Sequence, residues 1–187
     1  MAPMRKILLV GLAAGGIAVG VTGAATHTSA AGSHGTFQFL IGTGGTSEPF
    51  GPEISRDPTT GDILQIVGMG TFTQGVESSA TGGGTFVHTD DAGHLLAQGT
   101  WTVDGVDFFD SYGNAPPFPP SFGGGLAHLD VTFHPVGTTV TPVADLEIDC
   151  AINSPHPNPL EGVKVRLNKG PQFTVEIFGE NLFIHQS

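Results

Sequence analysis

Basic residues are scarce in this chain: six Lys and Arg stand against seventeen Asp and Glu, a formal charge of −11 over 187 residues. A surface of that sign repels phosphate backbones and anionic lipid, so neither nucleic acid nor a membrane surface is expected among its partners. Cysteine is all but missing. Cys150 stands alone, so no intramolecular disulfide forms and the core must hold by burial. It alternates with Leu146, Ile148 and Ile152, the setting of a buried, inert thiol, whereas a nucleophilic one needs exposure and a positive neighbourhood. Signatures of the common mechanisms are lacking too. There is no Gly-x-Ser-x-Gly elbow, no phosphate-cradling glycine loop before a helix and no His-Glu-x-x-His. Standard hydrolase and nucleotide-dependent chemistry is without support, and no catalytic residue is assigned.

Only one long apolar run is present. After Arg5 and Lys6, residues 7–21 are apolar or small without a break, shorter than the roughly twenty residues of a spanning helix and rich in Gly and Ala. Small residues follow at Gly23 and Ala25 and again at Ser29 and Ala31, which gives the outline of a signal peptide cut after Ala25 or Ala31. The expected organisation is a signal peptide over residues 1–31 and a single exported β domain over residues 32–187. That places the mature protein outside the cell and free of the membrane. Arg5 and Lys6 leave with the signal, so the mature domain keeps four basic against seventeen acidic residues, a formal charge of −13.

Helical periodicity is nearly absent, and 29 glycines with 14 prolines interrupt the chain too often for long helices. Strands are predicted over residues 36–41, 63–73, 84–88, 95–103, 106–111, 126–134, 143–152, 163–167 and 173–185, the last interrupted at 179–181. Links this short leave no room for crossover helices. The predicted fold class is therefore all-β, an antiparallel meander closed into a small barrel, with a two-sheet β-sandwich as the alternative. One hairpin is legible in detail: Asp90-Asp91-Ala92-Gly93 suits a type I turn followed by a left-handed residue. Residues 42–61 and 114–125 read as long loops.

The segments Gly68-Met69-Gly70-Thr71-Phe72-Thr73 and Ala80-Thr81-Gly82-Gly83-Gly84-Thr85-Phe86 resemble the Gly-x-Gly-Thr-Phe and Thr-Gly-Gly-x-Gly strands of exported proteins of the dirigent and allene oxide cyclase type. That resemblance implies a small eight-stranded barrel with an apolar interior pocket. It carries over no catalytic residues. The wider pattern also resembles uncharacterised secreted proteins of soil bacteria, which implies export and no activity.

Three constellations are candidates for function. Strict alternation in residues 126–134 sends His128, Asp130, Thr132 and His134 to one face, and the next strand sends Asp145, Glu147 and Asp149 to one face as well. If the two strands pair, these groups share a surface. The candidate metal ligands are His128, Asp130, His134 and Glu147, for a weakly held divalent cation with no other cofactor expected; the alternatives are general acid–base work and an ordinary solvated face. His88, Asp90, Asp91 and His94 form a second, smaller cluster around the hairpin turn, where turn chemistry alone accounts for the aspartates. The third is aromatic. Tyr112, Phe118 and Phe122 lie on a proline-rich loop and Trp101 on an alternating strand, so these four are the candidates for lining a pocket, or for capping and filling the core.

The expected function is accordingly a secreted β-barrel protein binding a small apolar or aromatic molecule without catalysis. Two alternatives stand beside it. One is a cyclase or isomerase with a barrel pocket in which His128 or Glu147 assists; the other is an extracellular surface or matrix protein.

Overall fold

A computed structural model describes residues 35–42, 51–157 and 161–186, all within one compact unit. The expected signal peptide, residues 1–31, lies outside the described residues. Among those described there is no helix. The strands are β1 (Thr36–Ile41), β2 (Glu53–Arg56), β3 (Ile63–Thr73), β4 (Val76–Thr89), β5 (Leu95–Gly113), β6 (Phe122–Pro135), β7 (Val143–Cys150), β8 (Gly162–Leu167), β9 (Gln172–Phe173), β10 (Val175–Phe178) and β11 (Asn181–Gln186). The all-β, antiparallel expectation holds, and all eleven strands belong to one sheet.

From β3 to β9 each strand pairs with the next, as a meander requires; closure comes from the first and last strands. β1 inserts between β3 and β11, and β11 reaches β6, so β3, β4, β5, β6, β11 and β1 form a ring of six strands. The long strands of the ring serve different neighbours along their length. The Gly68–Thr73 half of β3 pairs with β1 and its Ile63–Ile66 half with β2. Likewise, β6 meets β11 at Phe122 and Gly123 and β7 from Gly125 onward. Where β1 and β11 end, β2 and β10 on one side and β8 on the other come together over the same core.

Three sequence expectations shift in detail. The predicted break between residues 103 and 106 is instead a bulge within one long β5, whose register slips at Val103/Gly105 and again at Val106/Phe108. The predicted loop at 42–61 contains β2, and the predicted loop at 114–125 yields its glycines to β6. The hairpin turn forms as expected. Gly93 sits at φ 84°, where a side chain would be strained, and Asp90 Oδ1 accepts hydrogen bonds from the Ala92 and His94 backbone at 3.0 and 2.8 Å.

The interior is filled by aromatic side chains that meet across the ring. Phe109 of β5 stands 4.9 Å from Phe72 of β3, 4.9 Å from Phe183 of β11 and 4.7 Å from Phe37 of β1, ring centre to ring centre. None of these strands is a neighbour of β5 in the sheet, so the contacts span the enclosed space. Such tilted and edge-on pairs each add about 0.5–1.5 kcal/mol to their burial. Glycines make the fit possible: a Cβ on Gly68 would lie 2.2 Å from Trp101 Cζ2, and one on Gly70 2.5 Å from Phe39 Cζ. The Gly-x-Gly strand motif is thus a packing device, with room left for an indole and a phenyl ring.

Candidate functional site

The four aromatic residues singled out from sequence do not converge. Trp101 is 1% exposed in the core, its Nε1–H donating to the Val67 carbonyl at 3.1 Å across the intervening β4. Tyr112 is half-buried edge-on to His156, and burial, with Asp149 and Asp110 nearby, pushes its phenol up to about 12. Phe118 is 45% exposed on the proline loop, and Phe122 opens β6 opposite Ile184. Asn114 braces that loop, its Nδ2 donating to the carbonyls of Pro119 and Phe122 at 2.8 and 2.6 Å.

A cleft with room for a ligand lies elsewhere. A depression of about 430 Å³ is lined by Gln74, Gly75 and Glu77 from the β3–β4 hairpin and by Val106, Asp107, Phe108 and Phe109 from β5. Its lining follows from the strand's two-residue period: Phe109 turns into the aromatic core, as Trp101 does, and its neighbour Phe108 is left 49% exposed. Gln74 Nε2 donates to the Phe109 carbonyl at 3.3 Å and ties the hairpin to the strand. The cleft therefore has an apolar floor, an aromatic wall and two carboxylates, and none of the four described basic residues lines it. Its negative potential reaches Asp130, whose carboxyl is held above the usual range by burial and by the charges of Asp107, Asp145, Glu77 and Asp104. A smaller depression of about 240 Å³, lined by Asp104, Asp130, Val131, Val143, Ala144 and Asn168, extends this acidic surface.

β6 and β7 do pair, with His128 opposite Glu147 and Asp130 opposite Asp145. What the sequence reading missed is the part played by the third strand, predicted over residues 163–167. β8 places Lys164 opposite Glu147 and Arg166 opposite Asp145, and these cations take up the carboxylates. Lys164 Nζ lies 2.6 Å from Glu147 Oε1; Arg166 reaches Glu147 Oε2 at 2.7 Å and Asp145 Oδ2 at 3.0 Å. His128 Nδ1 is 3.0 Å from Asp145 Oδ1, and its Nε2 is 3.8 Å from Glu147 Oε2. Although burial pushes the Glu147 carboxyl up, hydrogen bonds from Lys164 and Arg166 hold it below the ordinary 4.5. His134 is apart from this group, its Nε2 3.0 Å from the Thr102 hydroxyl on the adjacent β5.

Of the four candidate metal ligands, then, His128 and Glu147 meet within an ion-pair network, Asp130 lines the acidic depression and His134 is separate. Among the described residues, no group of three or more His, Cys, Asp or Glu side chains is arranged to hold a metal ion. The hairpin cluster is likewise divided: His88 pairs with Asp62 at 2.9 Å and His94 with Asp90 at 2.8 Å. The residues that a cyclase or isomerase reading needs inside the pocket, His128 and Glu147, project from the face opposite Leu129 and Leu146, which fill the core. Cys150 is fully buried, and burial pushes its thiol up to about 12, in keeping with an inert side chain. Compared with protein-family models, curated proteins and solved structures, the chain matches none.

Proposed function

We propose that the chain is an exported, non-catalytic protein that binds a small aromatic or apolar molecule carrying a positive charge, in the cleft at Phe108. The observation that carries this reading is the 430 Å³ depression that sets an exposed phenyl ring beside Glu77 and Asp107. Its volume falls in the range of small-molecule sites, roughly 300–1,000 Å³. A phenylalanine half-exposed in water loses that contact when an apolar body covers it, and the ring face attracts a cation as the carboxylates do. The crowded aromatic interior argues for recognition at this cleft in place of the enclosed pocket that the dirigent resemblance implies. Export supports a role outside the cell, where a soluble acidic carrier meets small amphiphiles directly.

The test is a fluorescence titration of the mature domain with a naphthylmethylammonium probe and with naphthalene sulfonate of similar size. Saturable binding of the cationic probe, weakened about tenfold by Phe108→Ala, is expected, since an aromatic anchor contributes on the order of 1.4 kcal/mol or more. No saturation with either probe, or equal affinity for the sulfonate, would refute the proposal.

A further inference from the structure

On the other side of the molecule, β2, β7, β8, β10 and the turn into β11 bring together acidic groups that the cleft does not use. Glu53 of β2 is fully buried, a carboxylate opposite Ile66. Its Oε1 accepts a hydrogen bond from the Glu180 backbone, and its Oε2 is buried without a partner. The chain is shaped around this side chain: a Cβ on Gly179 would lie 1.9 Å from Glu53 Oε2 and 2.6 Å from Gly162 Cα. Glu176 of β10 is 3% exposed, its Oε1 3.3 Å from the Lys164 ammonium and its Oε2 unpartnered. Glu161, just before β8, accepts the Asn181 backbone N–H at 2.7 Å.

Asn181, itself 5% exposed, stitches the group together. Its Nδ2 donates to the carbonyls of Asp149 and Gly162 at 3.1 and 2.8 Å, which leaves its buried Oδ1 unpartnered, like Asp149 Oδ1. Every orphaned atom among these residues is an oxygen acceptor; the one unpartnered donor beside them is the buried Ser55 hydroxyl, opposite Glu176 in the sheet, and the nearby cations are already engaged. Lys164 also serves Glu147, and Arg166 serves Glu147 and Asp145. Of the remaining elements around Glu53, β3 has no ionisable residue between Ile63 and Thr73, β9 is Gln172–Phe173, and Arg56 lies at the end of β2 opposite Val175. His156 approaches from the Asp149 side.

Buried acceptors left without donors are costly, and no three of these carboxylates converge on a common metal position. Protons are the donors that fit. We propose that Glu53, Asp149 and Glu161 form a proton-operated latch that fastens β10 and the start of β11 to β2, β7 and β8 in mildly acidic solution and loosens as the pH rises. Burial, with Glu161 and Glu176 nearby, pushes the Glu53 carboxyl up to about 8, and burial beside Glu176 raises Asp149 to about 6; Glu161 is raised in the same sense. Because the folded carboxyls hold protons that the unfolded chain releases, their contribution is complete below the ordinary carboxylate range. It is lost as pH climbs through about 6 and then about 8.

Hydrogen exchange of the mature domain between pH 5 and pH 8.5, corrected for intrinsic exchange rates, reads the latch directly. Protection across Val175–Phe178 and Asn181–Gln186 should fall about tenfold or more over that range, one pKa unit corresponding to a factor of ten. Meanwhile β4 and β5 should change little. Glu53→Gln, neutral at every pH, should remove most of the pH dependence; if that variant fails to fold, Asp149→Asn and the wild-type profile decide. Protection that is flat with pH in the wild type overturns the proposal. So does an unaltered slope in Glu53→Gln, or recovery of protection at pH 8.5 on adding calcium chloride, which would replace protons by a cation.

Discussion

Gly68 and Trp101 show at the scale of single residues how this sequence dictates its packing. The indole lies where any side chain on residue 68 would sit, 2.2 Å from the would-be Cβ, with the Gly83 carbonyl only 2.7 Å away. Gly68→Ala should therefore destabilise the domain by about 1–3 kcal/mol through overpacking. In a Trp101→Leu background the added cost should shrink, because the two residues compete for one space. Urea unfolding of the four-member cycle measures that coupling, and additive costs would contradict the contact. The glycine–threonine run was readable in sequence, but its reason was not. Nothing in a linear pattern says that the ring filling the space above Gly68 comes from 33 positions further along, over an intervening strand. Phe108 differs: consecutive strand residues face opposite ways, so one ring of the Phe108-Phe109 pair is buried and the other presented.

At the scale of elements, what alternation determines was legible and what cross-strand partnership determines was not. β6 and β7 alternate strictly, so their buried faces, Leu129, Val131 and Phe133 with Leu146, Ile148 and Cys150, followed from the period of two. The neutralisation of their acidic face by Lys164 and Arg166 did not, since β8 follows a turn of irregular composition and its register is set by long-range pairing. β2 escaped notice because Glu53-Ile54-Ser55-Arg56 has charged ends and buries the polar positions of its alternation, Glu53 and Ser55. The network on β7 and β8 makes a prediction opposite in sign to the latch. Glu147 is held below its ordinary value, so its contribution is present at neutral pH and fades as pH falls through the carboxylate range. Lys164→Met should cost about 2 kcal/mol or more at pH 7, where it leaves buried carboxylates short of a cation, and clearly less at pH 3.5. Chemical denaturation at the two pH values checks this, and an equal loss at both would mean that Lys164 acts by packing alone.

At the scale of the molecule, the described residues form an antiparallel sheet closed by its first and last strands, since β1 and β11 complete the ring that the central strands begin. The all-β class and the strand count near ten were foreseeable from turn spacing and two-residue periodicity. Closure was expected too, but the strands that make it were not named, because the pairing of residues 36–41 with 181–186 joins the two ends of the domain and leaves no local trace. A ring this full of aromatic side chains has little space inside for a guest, which directs attention to its surface. There, a strongly acidic composition and a scarcity of basic side chains leave one cleft with an exposed phenyl ring beside two carboxylates. The most direct test is an amide NMR titration of the mature domain with the naphthylmethylammonium probe. The account predicts saturable shifts concentrated at residues 74–77 and 106–109 and abolished by Phe108→Ala. Shifts centred instead on the Tyr112 to Phe122 loop, or no saturable shifts at all, would contradict it.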